Sequence, residues 1–303
     1  MNRAENEIWT IQKILTWTAE FFTSKKIPSA RLDSEILLAT TLGCRRLDLY
    51  LKFDQPLKDM ELKKFKELVV RRSKREPVAY ITGVQEFYGR NFIVGPGVLI
   101  PRPETEHLIG EVLSWFKVQQ ENEKKETINI LDVGSGSGCI GLTLALEIPQ
   151  AQVVALEKME KGTYFTRANA EILKVDGRVT VLQNDFCDFN SADKFDIIVA
   201  NPPYIALTEK DRLQEDVVQY EPAEALFGGP AGHETLQAWL PKMMELLAPQ
   251  GLLVAELGFD QGEVAKNLAL QEKFQEIEII RDYSGNVRLL KARKESHHGQ
   301  DHH

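Results

Sequence analysis

The sequence predicts an α/β protein on a mixed, mostly parallel sheet, preceded by a small helical domain. Three observations carry this. From Ile128 onward, strand-like apolar runs alternate with helical stretches, the pattern of a doubly wound sheet. Before Tyr80 the apolar spacing is helical throughout. The last two strand-like runs are joined by a link too short for a parallel crossover, which takes roughly a dozen residues, so they read as an antiparallel pair.

The helical part rests on IWTIQKILTWTAEFF, LDSEILLATTLG and LKKFKELVV, with Ser29 or Asp33 as candidate caps for the second helix. The basic run VVRRSKRE, with Arg71, Arg72, Lys74 and Arg75, reads as a solvated helix end whose cations suit the C-terminal dipole. AYITGVQEFYGRNFIVGPGVLI alternates apolar and polar residues around Gly83, Gly89 and Gly95 and reads as a linking β-hairpin. IPRPETEHLIGEVLSWF then runs from loop into helix, with acids from Glu104 to Glu106 at its start. The sheet strands are INILDVG, QVVALE, VTVLQND, FDIIVAN, GLLVAEL, FQEIEIIRD and NVRLLKARK, with helices through TRANAEIL and TLQAWLPKMMELL among those between them. The expected domains are a helical substrate-recognition part at 1–80, the hairpin linker at 81–101, the α/β domain at 102–294 and a disordered, polar His-rich tail at 295–303, to which no function is assigned.

At 303 residues, 43% hydrophobic and 27% charged, the chain is long enough for one large and one small domain. A polar start, with no signal-peptide pattern and no bilayer-length apolar run, points to the cytoplasm and away from membranes. The net charge of −8 argues against nucleic acid as the main partner, because phosphate binding needs concentrated positive charge. Cys44, Cys139 and Cys187 are odd in number and widely spaced, which fits buried small hydrophobes and neither a disulfide framework nor a metal site.

Two strand ends carry chemistry. FDIIVANPPY ends at Asn201, Pro202, Pro203 and Tyr204. Successive prolines fix φ and remove two donors, so the chain leaves the sheet as a stiff loop with outward carbonyls. With the Asn201 oxygen and the Tyr204 ring, that loop forms a receptor for a flat group bearing NH2. The plainer reading makes Asn-Pro a turn opener and Tyr204 a rim contact.

ILDVGSGSG sets Gly134, Ser135, Gly136, Ser137 and Gly138 in a strand-to-helix turn, where backbone can approach a ligand closely. Glu157 ends the next strand, placed to accept both hydroxyls of a ribose. Gly136, Gly138 and Gly141 also satisfy GxGxxG, so NAD is a rival, with an oxidoreductase as the matching function. Asp132 would oppose a pyrophosphate yet suit ammonium and sulfonium charges. Asp185 offers a carboxylate for an adenine amino group, and Phe186 is either a cover for the ring or plain core. Together these favour S-adenosyl-L-methionine.

On these residues the chain resembles class I, S-adenosylmethionine-dependent methyltransferases, and more closely the PrmC/HemK family. REPVAYITGVQEFYGRNF, LIPRPETE, YEPAEALFGG and RDYSGNVRLL support the closer likeness, which covers nearly the whole chain. The resemblance implies a Rossmann-like class I methyltransferase fold with a seven-stranded sheet and an antiparallel last strand, and makes 102–294 the S-adenosylmethionine-dependent methyltransferase domain. It implies methylation of the glutamine side-chain amide in the Gly-Gly-Gln loop of peptide chain release factors; a monomer is expected, apart from the resemblance. It assigns Asn201 and the Pro202 carbonyl to the two N–H bonds of that amide, Pro203 and Tyr204 to the same substrate pocket, and Asp132, Gly134 to Gly138, Glu157, Asp185, Phe186 and Asn201 to the cofactor. The same receptor fits an exocyclic amino group of a DNA or RNA base, which is the leading alternative. LIPRPETE suits equally a loop near the cofactor and a hinge, and leaves the role of Arg102 open.

Overall fold

The computed structural model describes residues 8–122, 125–282 and 284–295. The chain divides into two compact units, one of residues 1–83 with Glu215–Tyr220, the other of Val84–Gln214 with residues 221–303. The His-rich tail from residue 296 onward lies outside the described residues. Among the described residues no helix is long and apolar enough to cross a membrane.

The first unit holds α1 (Ile11–Ser24), α2 (Ala30–Leu42), α3 (Arg46–Leu51), α4 (Asp59–Ser73) and α5 (Val78–Thr82). Apolar residues at helical spacing meet in one core that includes Leu15, Phe22, Leu37, Leu38 and Phe65. Ser29 occupies the N-cap position of α2 with no side-chain cap bond, and Asp33 turns inward to Arg72. Arg72 corrects the reading of VVRRSKRE as a solvated end. Its side chain is 4% exposed and bonds Asp33 at 2.7 Å and Asp216 at 3.3 Å, while Arg71 pairs with Glu76 and Arg75 with Glu215. A second difference is α5, where a strand-like pattern had been read from Ala79. Pro77 presets the entry to this short helix and left-handed Gly83 ends it, so the hairpin starts only afterwards.

The second unit opens with that hairpin, β1 (Val84–Phe87) and β2 (Arg90–Ile93), followed by α6 (Glu106–Asn122). The α/β part then runs β3 (Ile128–Val133), α7 (Cys139–Glu147), β4 (Ala151–Glu157), α8 (Glu160–Ile172), β5 (Val179–Gln183), β6 (Phe195–Ala200) and β7 (Ile205–Ala206). After α9 (Glu215–Tyr220), counted with the first unit, come α10 (Ala223–Leu226), β8 (Phe227–Gly229), α11 (Glu234–Leu246), β9 (Leu247–Glu256), α12 (Gly262–Gln271), β10 (Gln275–Arg281) and β11 (Val287–Arg293).

Seven strands form one sheet in the order β10-β11-β9-β6-β3-β4-β5. β11 runs antiparallel to both β9 and β10, whereas β9, β6, β3, β4 and β5 pair in parallel. Strand alternation sends Ile130, Ile197 and Val199 into the core on one face and Leu131, Ile198 and Ala200 into that on the other. Both faces are covered, so the strands read as nearly continuous apolar runs. This is the mixed sheet with an antiparallel last strand expected from the sequence.

Candidate active site

From β3 the chain winds outward through β4 to β5, then returns to β6 on the opposite side of β3. Such a reversal opens a crevice at the carboxyl ends of the strands, where ligands of open α/β sheets bind. Val133 pairs in register with Ala200 on one side and with Leu156 on the other. The glycine turn, the Asn-Pro-Pro-Tyr loop and Glu157 therefore leave the sheet side by side. They border a cavity of about 560 Å³, within the roughly 300–1,000 Å³ usual for small-molecule sites.

Gly134, Gly136 and Gly138 all take left-handed φ, at 71°, 56° and 80°, which side-chain-bearing residues rarely adopt. Two buried residues of α8 hold this turn from behind. The Thr166 hydroxyl donates to the Gly136 carbonyl at 2.9 Å, and the Asn169 amide donates to the Ser137 carbonyl at 2.9 Å. Gly134 to Ser137 line the cavity; Gly138 turns away into α7, against Leu142 and Thr166.

Glu157 lines the cavity and is fixed by backbone, its Oε2 accepting from the Gly136 N–H at 2.8 Å and its Oε1 from the Met159 N–H at 2.7 Å. Asp185 also faces the cavity. The Lys158 ammonium, 2.9 Å away, and the Cys187 N–H hold its carboxyl below the ordinary range. Phe186 packs in the core and also lines the cavity, edge-on to Trp239 with centroids 5.6 Å apart. Cys187, expected to be buried, is exposed and lines the same wall.

Asp132 sits elsewhere than its expected ligand role requires. Strand alternation puts it on the face covered by α7, fully buried and off the cavity wall, with Oδ2 accepting from the Gly141 N–H at 2.9 Å. Among the described residues its Oδ1 has no partner, and burial pushes the carboxyl up to about 7. Gly141 is small for this reason, because a Cβ there would lie 2.8 Å from Asp132 Oδ2. The third glycine of the GxGxxG pattern thus serves strand-to-helix packing.

In the Asn-Pro-Pro-Tyr loop, Asn201 and Pro203 line the cavity, while Pro202 is buried and Tyr204 lies off the wall. The Tyr204 hydroxyl donates to Glu256 Oε1 at 3.2 Å, and its carbonyl accepts from Gln261 Nε2 at 2.8 Å. Burial makes both the Tyr204 hydroxyl and the Glu256 carboxyl weaker acids, titrating above their ordinary ranges. Tyr204 is accordingly an internal prop of the loop, and not a rim contact.

LIPRPETE belongs to this site, since Leu99, Pro101, Arg102 and Thr105 line the cavity. Arg102 forms an ion pair with buried Glu221, whose other oxygen accepts from the Ile100 N–H at 3.0 Å. Sequence reasoning missed Glu221, Thr105, Glu256 and Trp239. An acid in YEPAEALFGG and a threonine in LIPRPETE were in view as motif members, but nothing in their spacing joins them to residues more than ninety positions away.

Curated relatives cover this entire arrangement. A release factor glutamine methyltransferase from Rhodopirellula baltica is 40% identical over 288 residues, spanning 94% of this chain and 97% of that protein. The chain belongs to the release factor glutamine methyltransferase family. The family member from Geobacter sulfurreducens is 39% identical, over 95% of this chain and 98% of its own. In the present chain, residues 13–83 match the PrmC N-terminal domain and residues 116–226 the methyltransferase small domain. Among solved structures, a methyltransferase from Pyrococcus furiosus aligns with 75% of this chain and 97% of its own at a TM-score of 0.47 and 17% identity.

Proposed function

We propose that this chain transfers a methyl group from S-adenosyl-L-methionine to the side-chain amide nitrogen of the glutamine in the Gly-Gly-Gln loop of peptide chain release factors. The observation that carries the reading is the pairing of β3 with β6, which sets the glycine turn and Asn201 on one cavity. The residues present fit the cofactor. Three left-handed glycines leave backbone open to a close-lying ligand, Glu157 suits ribose hydroxyls, Asp185 suits an adenine amino group, and Phe186 lies in the same wall. Asp132 supports the turn from beneath.

When bound, the cofactor supplies a methyl group on positively charged sulfur. An amide nitrogen is a poor nucleophile because its lone pair is delocalised into the carbonyl. It turns acidic only as it gains the methyl group, so the site needs orientation and charge stabilisation more than a strong base. The Asn201 oxygen and Pro202 carbonyl are the proposed acceptors of the two N–H bonds, with Pro203 completing the wall. Tyr204 braces the loop through Glu256.

In this reading residues 1–80 recognise the protein substrate, 81–101 link, and 102–294 carry the transfer. The chain acts as a cytoplasmic monomer, without nucleic acid or membrane as partner, and a net charge of −8 supports the nucleic-acid part. Labelled methyl transfer to a release factor, and to the same factor with its loop glutamine replaced by alanine, tests the proposal. Label is expected on the first alone. Equal labelling of both, or labelling of tRNA or DNA instead, overturns it.

A further inference from the structure

An asparagine amide presents an acceptor on one side and a donor on the other, and the two are nearly equal in shape. The proposed transfer needs the acceptor of Asn201 turned to the substrate, so something must set the amide's sense. Glu256, at the end of β9, is 3% exposed and carries two hydroxyls. Thr105 Oγ1 donates to its Oε2 at 2.6 Å, and the Tyr204 hydroxyl donates to its Oε1. In this arrangement Thr105 gives its single hydroxyl proton to Glu256. Thr105 then has only lone pairs for its other neighbour, which is Asn201 Nδ2 at 3.4 Å. Donation from Nδ2 to Thr105 turns Oδ1 away from Thr105 and leaves it for another partner.

We infer that Thr105, anchored by Glu256, is a positioning residue that fixes the sense of the Asn201 amide and thereby presents its oxygen to the substrate NH2. This rests on the proposed use of Asn201 as an acceptor. Thr105 bridges two strand ends that the sequence separates widely, β6 through Asn201 and β9 through Glu256. Within LIPRPETE the Thr105 N–H donates to the Arg102 carbonyl at 3.1 Å, and Arg102 is tied to Glu221.

The test compares wild type with Thr105→Val, Thr105→Ser, Asn201→Ala and the Thr105→Val/Asn201→Ala pair in the full chain. Thr105→Val is expected to lower kcat about 10–100-fold, the usual loss for a partner that orients a working group, with KM for the methyl donor little changed. Thr105→Ser keeps the hydroxyl and is expected to recover most of the rate. In the Asn201→Ala background, Thr105→Val should cost nothing further, because its effect passes through Asn201. A second readout needs no turnover: the Asn201 side-chain NH2 signals in a 1H–15N spectrum, assigned by their loss in Asn201→Ala, should move in Thr105→Val and stay in Thr105→Ser. Wild-type kcat with unmoved signals in Thr105→Val, or losses that multiply in the pair, overturn the inference. The rates are measured on whichever acceptor the wild type labels. A wild type that labels nucleic acid therefore overturns the substrate reading alone, while the Thr105 comparison still decides the positioning.

Discussion

At the residue scale, binding and transfer are carried by different groups and should separate on mutation. Asn201→Ala removes a substrate acceptor but leaves the glycine turn intact, so transfer should fall about 100–1,000-fold, the loss typical of one aligned charge-stabilising group. Calorimetry should show unchanged affinity for S-adenosylmethionine, and a parallel fall would refute the division. Gly162→Ala should do the reverse. Its Cβ would lie 2.7 Å from the Glu157 carboxyl carbon, forcing that side chain off the backbone N–H groups that aim it. Losing a charged hydrogen bond of about 1.5–3 kcal/mol predicts roughly 10–100-fold weaker cofactor binding. Asp132 makes a pH prediction. Its folded carboxyl titrates at about 7 against an ordinary 3.8, so between those values the folded state holds a proton the unfolded chain has released. Stability from this group is present below pH 4 and is lost as pH rises towards 7. In Asp132→Asn, relative to wild type, urea unfolding should show stability about 2 kcal/mol higher at pH 7 than at pH 5, and an equal offset at both would exclude the effect. Glu157, Asp185 and Asn201 were legible as candidates because each lies at or within two residues of a strand's carboxyl end, where side chains of a parallel sheet meet ligands. Thr105 and Glu256 were not, because their bond spans 151 positions and no local pattern encodes it.

At the element scale, the Asn-Pro-Pro-Tyr loop is clamped by a second loop built for close approach. β7 pairs with β8, and a Cβ on Gly228 would lie 2.2 Å from the Gly232 carbonyl oxygen and 2.3 Å from that of Pro203. Both obstacles are backbone, so no side chain can swing aside. Gly228→Ala is expected to shift the loop and destabilise the fold by about 1–3 kcal/mol, the range for overpacking. The rate should fall by more than the folded fraction explains. Thermal unfolding with a transfer assay on the folded protein checks this, and a wild-type rate per folded molecule would show that the loop tolerates the shift. The sheet strands were legible because continuous apolar runs signal burial on both faces. α5 was not, because five residues between Pro77 and Gly83 are too few for a helical period to emerge from an alternating context.

At the scale of the whole molecule, the division into a helical unit and an α/β unit followed from the change of apolar period, but its boundary could not be read as a single cut. Glu215–Tyr220 belongs with residues 1–83, so the chain returns to the helical unit between β7 and β8. The reason is ionic. Arg72 on α4, the least exposed of the cations in VVRRSKRE, bonds Asp33 on α2 and Asp216 on α9. The partners lie 39 and 144 positions from Arg72, a span over which composition carries no pairing information. Glu221 follows Tyr220 directly in the chain, but belongs to the α/β unit, where it pairs with Arg102. Arg72→Leu leaves two carboxylates sharing an enclosed site without their cation, a change that costs about 3–5 kcal/mol when one partner of a buried pair is removed. The prediction is a loss of that size in denaturant unfolding, with faster amide exchange in α2, α4 and α9 and little change in β3 and β6. A loss below about 1 kcal/mol, typical of exposed pairs, would place Arg72 among solvated cations after all. A uniform rise in exchange across β3 and β6 would show that the two units unfold as one.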